Sequence, residues 1–310
     1  MALHILPRTL KYLEAVARFG SIQGASRALG ITASAIDRQI IALEEMCQTP
    51  LFERHARGMR LTSAGEAVVL MARRWHADAD RLEEELRSVR GEQFGTVRLG
   101  TMDSLANSIL PDLVKNFAVR YPRIRFAINI MTPKEAAHEL EIGTIDLVLA
   151  FNLPTNRGRH DLWSAPLPFG CAVGVGHPLW GRAQTTLGEA AKYLLAAQSR
   201  DLPVREYLEK SYGWLFDTAE PALVTNSLQF MKQVLVGGTY LSITSQLDTL
   251  RELEDGSLSF VPLVDDGLRP QTISIAIDAR RALPRAARLV GEALAEMVPD
   301  RLARLSSVTD

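Results

Sequence analysis

The segment from Gly20 to Ile40, GSIQGASRALGITASAIDRQI, constrains the fold of this chain more than any other stretch. It reads as two short helices joined by a tight turn. Ala25 and Ala28–Leu29 give the first helix an apolar face, and Gly30 suits a left-handed helix end. Thr32 is placed to cap the second helix through its hydroxyl. Ile36, Ile40 and Leu43 recur at i, i+4 and i+7, which buries one side of that helix. Ser34, Asp37, Arg38 and Glu45 fall on or near the opposite side. An ordinary helical hairpin would share this pattern. Small residues at the crossing and a polar outward face also describe a helix-turn-helix able to enter a major groove.

The next segment, Leu51 to Thr62, favours the second description. Its sequence LFERHARGMRLT places Arg54, Arg57 and Arg60 around Gly58, as in a small hairpin wing. A planar guanidinium fork matches phosphate oxygens, so such a tip suits a DNA backbone.

From Thr9 to Gly65 the chain resembles the DNA-binding domain of LysR-type transcriptional regulators. The matching residues are Leu13, Val16, Gly20-Ser21, Ala25, Leu29, Ile36, Arg38-Gln39-Ile40, Leu43-Glu44, Leu51-Phe52, Arg54, Arg57 and Leu61-Thr62-Ser63-Ala64-Gly65. The resemblance implies DNA contacts from Thr32, Ala33, Ser34, Asp37, Arg38, Gln39, Arg54 and Arg57. Three positions depart from the family pattern: Asp37 replaces a usual Ser, Ala33 a frequent Gln, and Cys47-Gln48 a common Leu-Gly. A carboxylate at Asp37 is repelled by phosphates but can accept from a cytosine amino group. An altered operator preference, or weakened binding, is therefore expected rather than a lost fold.

At 310 residues with 47% apolar composition, more than one domain is expected. The net charge of −1 hides eight basic against five acidic residues in the first 65 positions. That excess is modest for a nucleic-acid binder, so affinity should depend on dimerisation and a few placed arginines. No basic-then-apolar leader opens the sequence, and no apolar run approaches the ~20 residues of a membrane span, which leads us to expect a cytoplasmic protein. Cys47 and Cys171 fall in different expected domains, which argues against a disulfide.

The domain plan has three parts. Residues 1–65 form the winged helix-turn-helix, 66–91 a linker helix and 92–310 an α/β effector domain of two lobes. Lobe I covers about 92–165 and 269–310; lobe II covers about 166–268. Ser63-Ala64-Gly65-Glu66 has capping-box spacing, with Thr62 as the competing N-cap. Val68, Ala72, Trp75, Ala79, Leu82, Leu86 and Val89 then form a heptad seam, as expected of a self-pairing helix. Two paired recognition helices would meet an operator of approximate two-fold symmetry.

Beyond Gly91–Gly95 the pattern alternates. Strands are expected at 96–100, 125–131, 145–151, 170–176, 240–244 and 272–279. Helices are expected at 105–121, 134–141, 228–236 and 282–297. Alternation implies parallel sheets whose ligands bind beyond the carboxyl ends of the strands. The resemblance implies two lobes like those of periplasmic solute-binding proteins, with chain crossings near Ser164–Pro168 and Leu263–Gln271. It also implies a small effector, often an organic anion, between them. Ser104 and Thr132 match the family's Ser or Thr after the first and second strands, each near a helix start that favours an anion. Asn226 or Ser227 would face them from lobe II, and Phe151 would form an apolar wall.

The six histidines show no metal-ligand spacing, and Walker, dinucleotide and nucleophile-elbow motifs are missing. No catalytic residues, metal or cofactor are therefore assigned. A solute receptor or enzyme on the same two-lobed fold would leave Arg38, Arg54 and Arg57 without a purpose. The sequence reads as a LysR-type regulator, not an enzyme, that binds operator DNA as a homodimer through the linker helix. The family implies a homotetramer whose arrangement on DNA shifts with the effector.

Overall fold

A computed structural model describes residues 6–55, 58–89, 95–200 and 202–308. The chain divides into two compact units, Met1–Phe94 with Ile142–Thr144, and Gly95–Glu141 with Ile145–Asp310.

In the first unit, α1 (Arg8–Phe19), α2 (Ile22–Leu29) and α3 (Ala33–Cys47) precede a hairpin of β1 (Phe52–His55) and β2 (Gly58–Leu61). Then comes the long α4 (Ser63–Val89). Gly20 and Gly30 end the first two helices in left-handed conformations, φ 62° and 66°, which a side chain would oppose. The Ser21 hydroxyl accepts from the Gly24 N–H at 3.1 Å, capping α2. Leu13, Val16, Ala25, Ile36, Ile40, Leu51, Phe52 and Val69 form the core. Each large apolar member contributes roughly 1.5–3 kcal/mol of burial. The hairpin is tied down by the Met59 N–H donating to the Gly20 carbonyl at 2.7 Å.

Of the two candidate caps for α4, Thr62 fills the role: its Oγ1 accepts from the Gly65 N–H at 3.0 Å. The expected seam along α4 divides into two. Val68 packs into the core and Ala72 is fully buried. The exposed apolar stripe consists instead of Met71, Trp75, Leu82 and Leu86. Val89's side chain lies outside the described residues.

The second unit begins with β3 (Gly95–Thr101), α5 (Asp103–Ser108), α6 (Leu110–Arg120), β4 (Ile124–Ile130), α7 (Pro133–Ile142), β5 (Leu147–Phe151) and β6 (Arg159–Leu167). It continues with β7 (Phe169–Gly174), α8 (Leu187–Ala190), β8 (Leu194–Gln198), α9 (Pro203–Tyr212), α10 (Trp214–Thr218), β9 (Leu223–Thr225), α11 (Leu228–Leu235) and β10 (Tyr240–Ser245). A 3₁₀ turn (Gln246–Thr249), α12 (Leu250–Glu254), β11 (Leu258–Pro262), β12 (Gln271–Asp278) and α13 (Arg285–Val308) complete it.

Two five-stranded sheets result, ordered β4-β3-β5-β12-β6 and β11-β7-β10-β8-β9. Both are mixed rather than parallel. β12 runs antiparallel to β5 and β6, and β7 runs antiparallel to β10 and β11. The strands that cross between sheets cause this, since each enters its new sheet from the opposite end. The single helix expected over 105–121 is two helices meeting at Ile109, with Pro111 in the first turn of the second. Proline lacks an N–H and clashes with the carbonyl four residues back, so α5 cannot run on through it. Leu99, Leu105, Leu113, Phe117, Leu149, Ile273, Ile275, Val290 and Leu294 sit in the first lobe's core. Phe169, Cys171, Val173, Leu195, Leu208, Leu241 and Ile243 sit in the second's.

Candidate DNA interface and effector cleft

Ile36 and Ile40 anchor α3 in the core, and this turns Ser34, Arg38 and Gln39 fully outward, with Ala33 and Asp37 half-exposed beside them. Thr32 is the N-cap residue, but its hydroxyl makes no cap hydrogen bond to the backbone. It lies 3.5 Å from the Ser34 hydroxyl instead, so its expected capping role is corrected. Arg38 Nε donates to the Ser34 carbonyl one turn back, at 3.3 Å, which steers the guanidinium along the exposed face. Gln39 Oε1 accepts from the Thr9 hydroxyl at 2.7 Å, leaving its NH₂ as the outward donor. Arg54 of β1 reaches across to α3, its Nη2 donating to Asp37 Oδ1 at 2.8 Å. Arg57 lies outside the described residues. One supporting residue was legible only as part of a motif. The Glu44 carboxylate accepts the Leu51 and Phe52 N–H groups at 2.7 and 3.0 Å, fixing the exit from α3 into the wing.

In the second unit, α5 and α7 begin just beyond the ends of the adjacent parallel strands β3 and β4. Helix α5 packs against α11 and the 3₁₀ turn, so the elements carrying Ser104 and Ser227 meet. Arg251 of α12 also reaches α5, its Nε donating to the Asn107 carbonyl at 2.8 Å. Ser104 is buried at 5% exposure in the first turn of α5, and Met102, not Ser104, is the N-cap residue.

Thr132 forms a reciprocal capping pair with Glu135. Its N–H and hydroxyl both donate to Glu135 Oε2, at 2.8 and 2.9 Å, and its Oγ1 lies 3.3 Å from the Glu135 N–H. Those bonds, the backbone one foremost, hold the Glu135 carboxyl below the usual carboxylate range. The start of α7 thus already holds a carboxylate of the chain itself. Ser227 caps α11, accepting from the Phe230 N–H at 3.3 Å, and both it and Asn226 are exposed. Phe151 is corrected: at 1% exposure it belongs to the first lobe's core and lines no open wall. β5 is buried along its whole length, with Leu147, Leu149 and Phe151 in one apolar cluster and Val148 and Ala150 in another, so both of its faces are covered.

Sequence reasoning missed Arg205 of α9. This buried guanidinium lies 3.7 Å over the Phe216 ring and pairs with Glu209 at 2.7 Å. It borders a small void with Leu195, Val204 and Leu208, inside the second lobe rather than at the contact between α5 and α11. No motif marks it, because its environment is assembled from separate elements.

The LysR substrate binding domain matches residues 90–299, and the bacterial regulatory helix-turn-helix of the lysR family matches residues 7–66. The chain belongs to the LysR family of transcriptional regulators. Among curated LysR-family relatives of this chain, the HTH-type transcriptional regulator GalR of Pseudomonas putida is 28% identical over 251 residues. That alignment covers 79% of this chain and 62% of GalR. YybE of Bacillus subtilis is 30% identical, with 59% of this chain and 62% of YybE aligned. The chain therefore spans somewhat under two thirds of either relative. CbbR of Sinorhizobium medicae is 27% identical over 89% of this chain and 88% of CbbR. The LysR-family fold is shared with a full-length OxyR variant from Pseudomonas aeruginosa, at TM-score 0.66 and 18% identity over 94% of this chain and 95% of that one. It is shared with CbnR at 0.62 and 22% identity over 94% and 98%. No helix among the described residues is long and apolar enough to cross a membrane.

Proposed function

We propose that this LysR-family chain binds operator DNA through α3 and the β1–β2 wing, as a dimer formed along α4, and senses a small organic molecule in its C-terminal unit. The observation that carries the reading is the outward row of Ala33, Ser34, Asp37, Arg38 and Gln39 beside Arg54, in a chain that also holds two α/β lobes. The first two turns of α3 supply base contacts, and the arginines supply phosphate contacts. The exposed stripe of Met71, Trp75, Leu82 and Leu86 supports pairing with a second copy, and a homotetramer follows if the C-terminal units also associate. CbnR has been crystallised with its target DNA, which supports the DNA-binding part by analogy.

The effector is assigned to the cleft flanked by Ser104, Thr132, Asn226 and Ser227. An organic anion taken there has to displace Glu135 from Thr132 or bind to the other three residues. Its binding shifts regulation only by favouring one arrangement of the lobes over another. A thermal-shift screen of the full chain against carboxylates, aromatic acids, amino acids and sugar phosphates tests this. A true effector raises the melting midpoint with concentration, as a ligand of the folded state must. Ser104→Ala removes that rise. A rise that survives both Ser104→Ala and Ser227→Ala would place the ligand elsewhere.

A further inference from the structure

Asp37 is the acidic residue in the first half of α3, beside Ser34 and Arg38, and its position beside DNA phosphates would weaken binding if its charge stood alone. It does not stand alone: Arg54 Nη2 lies 2.8 Å from its Oδ1, joining the recognition helix to the wing. Both side chains are solvent-accessible, at 35% for Asp37 and 53% for Arg54. An ion pair so exposed adds little to stability. Its consequence is for what the surface can touch.

Among the described residues Arg54 alone pairs with Asp37, and it does so through Oδ1. Oδ2 is left to accept a further hydrogen bond. Arg54 carries five N–H donors, so several remain for a phosphate oxygen.

We propose that Asp37 and Arg54 form one reading unit, in which Asp37 Oδ2 accepts the exocyclic amino group of a cytosine in the major groove. Arg54 neutralises that carboxylate, fixes its rotamer and spans from it to the phosphate backbone. This rests on the DNA-binding reading above and names a specificity determinant within it. Cytosine is the base whose major-groove edge offers N4–H₂ as its donor, and a carboxylate is its acceptor-only match. An asparagine at the same position matches adenine instead, through N6 and N7. Arg54 is a positioning residue for that contact as well as a phosphate ligand.

The test is selection of random duplexes by the full-length protein, followed by binding titrations on the enriched site and its single-base variants. The wild type enriches a C·G pair at one fixed position of each half-site and discriminates against its replacement by about 5- to 150-fold. Asp37→Ala removes that discrimination while other positions keep theirs, and Asp37→Asn moves the preference to A·T at the same position. Arg54→Ala weakens binding to all sites, lowers the salt slope by about one phosphate contact and softens the cytosine preference. Arg54→Lys restores part of the affinity. Unchanged base preference in both Asp37 variants, with folding verified by circular dichroism, would overturn the proposal and leave DNA binding standing. Failure of the wild type to enrich any duplex would instead overturn the regulator reading and this proposal with it.

Discussion

Glu44 shows how a single side chain can hold two elements in register. Its carboxylate takes the two backbone N–H groups that open the wing, at Leu51 and Phe52, where no helix or sheet partner is available. A charge-assisted bond of this kind contributes about 1.5–3 kcal/mol. Glu44→Ala is therefore expected to speed amide exchange at Leu51 and Phe52 by roughly 10- to 150-fold. Unchanged protection at both amides would show that the carboxylate is dispensable. The two cysteines differ as sharply. Cys171 is wholly buried on β7, and burial, with some help from the Asp265 carboxylate, pushes its thiol up to about 12. Cys47 is exposed. A disulfide-exchange reagent at pH 8 should titrate one thiol in the native protein and two in denaturant, because only the thiolate attacks. Two native equivalents would contradict the burial of Cys171.

Among the elements, α4 serves two neighbours along its length. Its first half packs on α1, where His76 Nδ1 lies 2.7 Å from Glu14 Oε1. Its apolar stripe stays open to solvent, with Trp75 at 45% exposure. For the proposed pairing along α4, Trp75→Asp with Leu82→Asp is expected to lower the molar mass seen in light scattering to that of one chain, without altering the helix content. An unchanged molar mass would remove α4 from the interface. The heptad arithmetic found this helix from the sequence but could not apportion its positions. Val68 and Ala72 satisfy the repeat and are nonetheless taken by the domain's own core. The same limit applies to α5 and α6. Pro111 was visible, but whether it opened a helix or broke one depended on Ile109, whose side chain the core had to accept.

Across the molecule, the second lobe of the C-terminal unit buries a histidine, from which a sensitivity to acid is expected. Buried His177 accepts the Leu179 N–H at Nδ1, 3.1 Å away, while its Nε2 is buried with no hydrogen-bond partner among the described residues. Burial lowers its pKa below the usual value of 6.5. The unfolded chain therefore binds a proton that the folded one refuses. The stability from neutral His177 is present above pH 6.5 and is lost as pH falls through the lower folded value. Between pH 7.5 and 5.5 the wild type should lose more in melting midpoint than His177→Asn, which keeps an acceptor without the titration. Parallel losses in the two proteins would show that this burial has no consequence for folding.

Local periodicity and punctuation by themselves determined the helix-turn-helix, the long helix after it and most of the strands and helices of the C-terminal unit. Ile36 and Ile40, Gly20 and Gly30, and the capping position at Thr62 each act within a few residues, so the sequence displays them directly. The tertiary structure alone decided the rest. It set strand direction in the two mixed sheets and admitted β6, whose alternating Asp161, Trp163, Ala165 and Leu167 acquire meaning only beside β12. It enclosed Phe151 in the first lobe's core. It also brought Arg54 to Asp37, seventeen positions away. Each of these depends on which segment lies opposite, a long-range condition that spacing along the chain does not encode.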